Sequence, residues 1–499
     1  MKLLKTLVLG LGAACLCAGA AQAQTDVIPV GTIKYDPARC WNSYIILAGT
    51  YPKLIDRNGN LVKEWDNWGA AAQPSKVLPG GHLLTSIYPP VAEGFQDQSA
   101  VAVLDWDNRI VRKFDKWQKV EQGAKGQPAA ADGSFWAARQ HHDFQLEGSS
   151  VGYYAPGMEP RMDGKMLVLA HSNAENPRIN KAGLLDDAIY IVDGKGEVIW
   201  KWFASEHFSE FGFSESALNK LHRMAPVGKK LGGVDWFHIN CASWLGPNKW
   251  YDAGDERFHP ENIICDSRNT SHLFIIDHKT GGVAWQCGPD YPDDSPLRLM
   301  GMHLPEGGFK GLPAGGMMHH AHIIPKGLPG EGNVIVFNNG LPFSQVLEFN
   351  PITLEKVWEY SGLAEGYAPN HSLAHSFFSA TISGVQRLPN GNTLICEGND
   401  GRIFEVTPDL EIVWEYIVPF MWYGTASGFG DAENHSAMRV KPTNSTYRAY
   451  RVPYSYIPQL RHDPEREVIP ADPFIYDDAL RNAGAVEVEN EEFTPFKRY

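Results

Sequence analysis

Apolar residues in this chain come in short runs, broken by Asp, Asn, Gly and Pro. That pattern belongs to strands joined by tight turns rather than to long helices. One unit recurs six times: an apolar strand, an Asp/Asn/Gly turn, and a second strand closing on an aromatic. It runs from Leu54-Ile55-Asp56-Arg57-Asn58-Gly59 to Trp65, and from Val103-Leu104-Asp105 to Phe114. It returns from Tyr190-Ile191-Val192-Asp193 to Trp200, and from Phe274-Ile275-Ile276-Asp277 to Trp285. The last two run from Leu347-Glu348-Phe349-Asn350 to Trp358, and from Phe404-Glu405-Val406-Thr407 to Trp414. The turn residues supply the backbone freedom that hairpins need, and the closing aromatics suit positions packed between neighbouring sheets.

A further strand pair precedes most hairpins, most clearly in Ile382 to Cys396 with its Leu388-Pro389-Asn390-Gly391 turn. Four strands in each of six units predict an all-β chain folded as a six-bladed β-propeller with loop insertions. The uneven spacing of the units fits blades carrying insertions better than it fits a solenoid. The first unit is short, and Tyr447-Arg448-Ala449-Tyr450-Arg451-Val452 is placed to return and complete it, so that N- and C-terminal strands close the ring and hide its sheet edges. The propeller is expected over residues 24–460, with a helical stretch around Ser214 to Met224 and a charged, loosely attached tail over 461–499. The stretches Cys287 to Gly316 and Ser361 to Ser376 read as loops that can wall a site.

The first 23 residues change the picture of where the protein works. Lys2 and Lys5, the apolar run from Leu7, and Ala21-Gln22-Ala23 form a signal peptide, too short to span a membrane, so a periplasmic or secreted protein is expected. The formal charge of −14 becomes more negative once those two lysines are removed. An acidic surface argues against nucleic acid and requires any anion site to be built locally. Cys40, Cys241, Cys265, Cys287 and Cys396 allow one or two disulfides in an oxidising compartment, and no CxxC spacing points to zinc.

Three strands carry histidine in matching places: Gln140-His141-His142-Asp143-Phe144, Trp236-Phe237-His238-Ile239-Asn240, and His319-His320-Ala321-His322 before Asn338-Asn339-Gly340. In a propeller the first strand of each blade lines the central channel, which brings His142, His238 and His320 to one mouth. Neutral imidazole is both nucleophile and general base, and clustered imidazoles can divide such roles or bind a transition metal. His141 and His319 point the other way along their strands and read as structural. Tyr153, Tyr154 and Trp236 offer aromatic faces for an aryl ring.

In these segments, and in Arg387 to Ile395, Gly401 to Val406, Val413 to Tyr416 and Tyr447 to Arg451, the chain resembles the bacterial aryl-sulfate sulfotransferases over nearly its whole mature length. The resemblance implies a six-bladed propeller and PAPS-independent transfer of a sulfuryl group from a phenolic sulfate ester to another phenol, through a sulfated histidine. The implied partners are therefore small molecules, an aryl sulfate donor and a phenolic acceptor, with neither cofactor nor metal. His238 and His320 match family active-site histidines by local motif. The family's arginine after the Asn-Asn-Gly turn is absent, since Leu341-Pro342 follows Gly340. No histidine lies on Thr393 to Glu397 to take the sulfuryl group, which leaves His375 or His435. The expected catalytic set is thus His238, His320, His142 and His375. Arg402, His322, Asn339, Tyr154 and Trp236 are the expected substrate-binding set, with Arg402 supplying the missing positive charge.

Two other readings stay open at this point. Leu273 to Trp285, with Asp277, Thr280-Gly281 and Trp285, resembles the tryptophan-docking segment of quinoprotein dehydrogenases. A binding propeller without catalysis, its central histidines holding a metal or simply packed, is the other.

Overall fold

The computed structural model describes residues 30–49, 51–66, 73–91, 93–124, 126–228, 230–288, 291, 294–299, 317–340, 343–365, 377–420, 422–423 and 442–470. The signal segment 1–23, His375, His435, Leu341 and Pro342 lie outside them. The architecture is all-β and propeller-like, mostly strands with few helices.

All six hairpins form antiparallel pairs: Lys53–Ile55 with Leu61–Glu64, Gln98–Leu104 with Ile110–Phe114, Asn180–Val192 with Val198–Phe203, His272–Ile276 with Val283–Cys287, Gln345–Phe349 with Lys356–Ser361, and Arg402–Val406 with Ile412–Ile417. Five of their turns share one device, and in the sixth Thr407 Oγ1 takes the same part by accepting from Glu411 N–H. The Asp or Asn side chain caps backbone N–H groups two to four residues on, as when Asp105 Oδ1 accepts from Asp107 and Arg109, Asp193 Oδ1 from Lys195 and Glu197, and Asn350 Oδ1 from Ile352. The side chain mimics a backbone turn, which is why Asp and Asn recur there.

Two inner strands complete most of these hairpins into four-stranded meanders. Ile239–Trp244 and Ile263–Ser267 precede one, and Met318–Ile323 and Val334–Asn338 precede another. The pair Gln140↔Gln98 joins two such groups into one nine-stranded sheet. Ala449–Val452 returns to pair with Tyr44–Leu47, and Gly31–Tyr35 adds to the outer edge of Ile412–Ile417. Consecutive hairpins are linked by a hydrogen bond from the outer strand of one to a turn carbonyl of the next. Trp65 Nε1 donates to Asp105 O, Arg112 Nη2 to Asp193 O, Trp202 Nε1 to Gly281 O, Trp285 Nε1 to Pro351 O, and Trp358 Nε1 to Pro408 O. Trp414 Nε1 donates to Arg57 O, from the last hairpin back to the first. In the third hairpin the docked aromatic is Trp202, not Trp200: Trp202 is buried, while Trp200 stays partly exposed two positions earlier on the same strand. The quinoprotein-like segment has the same structural task, since Gly281 receives Trp202 and Trp285 docks onward.

The expected disulfides are not formed, for all five described cysteines are free thiols. Cys241 and Cys265 lie on neighbouring strands, but the register pairs Ala242 with Cys265, and so alternation turns the two thiols to opposite faces. The helix Glu215–Leu221, capped by Ser214 Oγ on Ala217 N–H, occupies the predicted helical stretch. No described helix is long and apolar enough to cross a membrane. The described part of the tail is tied down: Val468 and Tyr35 exchange backbone hydrogen bonds, and Tyr454 donates to Glu465.

A buried charge cluster fastens the last hairpin to the first. Glu405 pairs with Arg57 at 3.2 Å and with Arg451 at 2.7 Å, all essentially without solvent exposure, and Arg57 and Arg451 lie over the Trp414 ring. Removing one partner of such a group leaves buried charge uncompensated. Glu405→Ala is therefore expected to cost about 3–5 kcal/mol of unfolding free energy. Chemical denaturation measures this, with Glu411→Ala in the exposed Arg39 pair expected to change little.

Candidate active site

His142, His238 and His320 share a backbone conformation that side-chain-bearing residues seldom adopt, with φ of 59°, 58° and 58°. Each sits at or beside an irregularity in its inner strand: the register slips between Gln140 and Phe144, between Ile239 and Cys241, and between His319 and His322. A bulge of this kind re-aims one side chain at the cost of local strain. The strain is held by carboxylates on other strands. Asp187 Oδ1 accepts from Ile239 N–H just after His238, and Asp266 Oδ2 accepts from Ala321 N–H just after His320. Ile382 and Ser383 take positive φ at the matching place of the following inner strand.

The result is a buried imidazole cluster. His142 and His238 rings meet at 4.8 Å edge to face, and His320 and His322 at 4.6 Å. Tyr447 closes on His142 at 5.8 Å, and Tyr450 on His320 at 5.6 Å. Gly384 leaves room for His320 and Arg448, because a Cβ there would lie a tight 3.1 Å from Arg448 Cγ and 3.2 Å from His320 Nδ1.

Hydrogen bonds fix what each ring presents. Asp235 Oδ2 lies 2.6 Å from His238 Nδ1, so that nitrogen carries the proton and Nε2 keeps its lone pair. His320 is the reverse. Its Nδ1 accepts from Val385 N–H at 3.1 Å, which places the proton on Nε2, 3.4 Å from Tyr450 Oη. His322 spends Nδ1 on His320 O and Nε2 on Tyr153 Oη, and so positions its neighbour. His142 Nδ1 meets His141 Nδ1 at 2.8 Å.

Positive charge surrounds the cluster. Arg448 and Lys76 share one carboxylate, Asp143, at 3.2 Å and 2.6 Å, and Arg448 also donates to Asn240 O. Arg268 follows His238 through a backbone bond, and burial lowers its pKa to about 10. Burial pushes the Asp235 carboxyl up, but His238, His171 and Arg268 outweigh it and hold its pKa below the usual value. Burial raises Asp266 to about 7. His320 is held well below the ordinary imidazole value by burial, then by Arg448 and His322.

The other expected site residues lie elsewhere or play other parts. Arg402 is engaged by Glu415 at 2.5 Å and Glu397 at 3.3 Å. Tyr154 stacks on Trp41 and meets Tyr456, so that of these two neighbours it is Tyr153 that joins Tyr447 and Tyr450 against the histidines. Trp236 is fully buried, donating to Asp186 and stacked on Phe237, with no face open to a ligand. Asn339 accepts from His319 Nδ1 and donates to Ser379 and Ile382 carbonyls, so it braces the wall. Sequence reasoning missed Asp235, Asp187, Lys76, Arg448, Tyr447 and Tyr450. One readable signal was Asp186-Asp187 inside an apolar strand, where an acid needs a partner. An open groove of about 840 Å³ lined by Trp200, Trp244 and Met158 shares no residue with the cluster.

The family description Arylsulfotransferase (ASST) matches residues 157–412, more than half of the 499 residues. The chain belongs to the arylsulfotransferase family. Membership implies a sulfotransferase enzyme acting on small molecules. No curated protein matches the chain. Among solved structures, a protein of unknown function from Bacteroides caccae shares 11% identity over 83% of this chain and 99% of its own, with a TM-score of 0.39. The Dos1 propeller shares 11% over 76% and 70%, at 0.31. The Cps50 (Swd1) β-propeller domain of Myceliophteria thermophila shares 8% over 79% and 88%, at 0.37. Likenesses this distant carry no argument about the site.

Burial makes stability pH-dependent. His142, His272, His319, His320 and His322 all have pKa values below the ordinary 6.5. Each stays neutral when folded but binds a proton when unfolded, so each destabilises the fold as pH falls below about 6.5. Asp186, Asp266 and Glu397, raised by burial to about 7, act oppositely and favour the fold as pH falls through that value. With His141, His171 and His278 also lowered and Asp187 and Glu405 also raised, the lowered histidines outnumber the raised carboxyls, so unfolding takes up protons near pH 5. Urea denaturation from pH 7.5 to 5 is expected to show stability falling, and constant or rising stability would contradict this balance.

Proposed function

We propose that this protein moves a sulfuryl group from a phenolic sulfate ester to a phenol, without a nucleotide donor, through a sulfated His238. The observation that carries the reading is the opposite tautomers of two buried histidines held in the same strained backbone conformation: His238 with a lone pair on Nε2 backed by Asp235, and His320 with N–H on Nε2. In the first half-reaction His238 Nε2 attacks sulfur and the ester S–O bond breaks, releasing a phenolate that takes a proton from solvent. In the second, the acceptor oxygen attacks sulfur and the S–N bond breaks, with the acceptor's proton passing to solvent. Atoms and charge balance over the cycle.

Transfer of this kind rests on positioning and on neutralising the equatorial oxygens, as in phosphoryl transfer. His320 and His142 serve as donors to those oxygens. Arg448, sharing Asp143 with Lys76, and Arg268 supply the local positive field that the family's arginine provides elsewhere. Asp235 stabilises the cationic ring formed when His238 is sulfated. In this reading the six hairpin units are six blades over residues 24–460, closed where Ala449–Val452 meets Tyr44–Leu47. The enzyme works in the periplasm or outside the cell, after loss of residues 1–23.

The test is incubation with a chromogenic aryl sulfate, with and without phenol, followed by intact-mass analysis at short times. A sulfuryl adduct that disappears on adding phenol is expected, and it should be absent in His238→Ala. Asp235→Asn is expected to lower turnover roughly 10²–10⁴-fold by releasing the ring tautomer. An adduct persisting in His238→Ala would reassign the nucleophile, and no adduct or turnover with any aryl sulfate would overturn the reaction.

A further inference from the structure

Behind His142 lies a second group of side chains that the transfer chemistry does not use. His141, His171 and Asp187 are each without solvent exposure, and one ligand atom from each falls within 4.8 Å of the other two. His171 Nε2 and Asp187 Oδ2 have no hydrogen-bond partner among the described residues, and His141 Nε2 meets Asp187 Oδ1 at 3.2 Å without hydrogen-bond geometry. Polar atoms left unpaired in a dry interior are unusual, because buried polar groups are normally paired.

The surroundings are those of metal ligands. Asp97 Oδ1 lies 2.6 Å from His171 Nδ1, and Arg139 Nε donates to Asp97 Oδ2 at 2.6 Å. That places the His171 proton on Nδ1 and leaves the Nε2 lone pair facing the group, the carboxylate–imidazole arrangement that orients a ligating histidine. The other His141 nitrogen is spent on His142, and Asp187 Oδ1 on Ile239 N–H. The His141 and His171 rings stack at 3.8 Å and 16°, so their in-plane lone pairs run nearly parallel and the rings must tilt toward each other to share a cation.

Against the expectation of a metal-free protein, we propose that His141, His171 and Asp187 bind one divalent transition cation, zinc(II) by its fit to two imidazoles and a carboxylate. Calcium and magnesium favour all-oxygen sites of higher coordination. Ligation through Nε2 keeps the His141 proton on Nδ1, so His141 donates to His142 Nδ1 and His142 holds its own proton on Nε2. The cation thereby fixes His142 as a donor toward the reaction centre, a consequence that rests on the proposed sulfuryl transfer, whereas the site itself does not.

The experiment uses the full mature protein loaded with Zn²⁺, desalted and analysed for metal by mass spectrometry, with X-ray absorption on the zinc edge. About one equivalent is expected, with imidazole scattering and no sulfur in the ligand shell. His171→Gln and Asp187→Asn, checked for folding by circular dichroism, are expected to reduce retention at least tenfold. A competing group lies on the surface, where His259, Glu261 and His278 also converge. His259→Ala is therefore expected to leave retention unchanged. No retained zinc in the wild type, the three atoms being bridged by an ordered water, would overturn the proposal. So would sulfur ligation, or retention lost in His259→Ala and kept in His171→Gln. Metal content is read without assaying transfer, so failure of the sulfuryl reaction leaves this result interpretable.

Discussion

One hydrogen bond, repeated from hairpin to hairpin, carries much of this architecture. Each outer strand sends a donor across to a carbonyl in the turn of the next hairpin, and Trp414 sends the last to the turn of the first. An indole is suited to the task because it buries a large apolar surface while retaining one N–H that must find an acceptor. Where the closing aromatic is Phe114, which has no donor, Arg112 two residues earlier makes the bond to Asp193 O instead. The turn carbonyls take these donors while Asp, Asn or Thr side chains cap the turn's N–H groups. Turn chemistry and inter-sheet docking are thus one constraint, met by the same few residues.

That frame lets the inner strands hold strain. Three non-glycine residues at φ near +58° each represent roughly 1–3 kcal/mol of unfavourable backbone, and they persist because buried carboxylates on neighbouring strands bind the backbone immediately beyond two of them. Asp187 and Asp266 therefore serve as fasteners for His238 and His320. Asp187 does so while also offering an oxygen to the His141–His171 group. The same carboxylate supports the reaction centre and the proposed cation site, which makes the two mechanically continuous.

Charge follows a parallel logic. The chain is acidic overall, yet Arg448, Arg268 and Lys76 are buried about the cluster, and Asp266 is raised to about 7 by its own burial. Burial holds the His142 and His320 imidazoles well below the ordinary value and so neutral. In the proposed reaction an anionic sulfate ester would meet a local positive field inside a negative molecule, where low dielectric strengthens each contact.

The sequence by itself determined the strands, the six hairpins and the returning segment at Tyr447 to Val452, since alternation, turn residues and closing aromatics are local signals. It also marked His142, His238 and His320 as equivalent, because they occupy one place in a repeat. Tertiary structure decided the rest. Arg448 and Lys76 gain their roles through contacts between segments far apart in the chain, which no local pattern records, whereas Asp235 stands only three residues before His238. Tyr153 rather than Tyr154, and Trp202 rather than Trp200, were settled by which side chain met a partner across a sheet. Arg402 was drawn away from the site by Glu397 and Glu415. The positive φ of the three histidines was invisible in sequence because histidine does not require that conformation, and only packing and hydrogen bonds from the surrounding strands impose it.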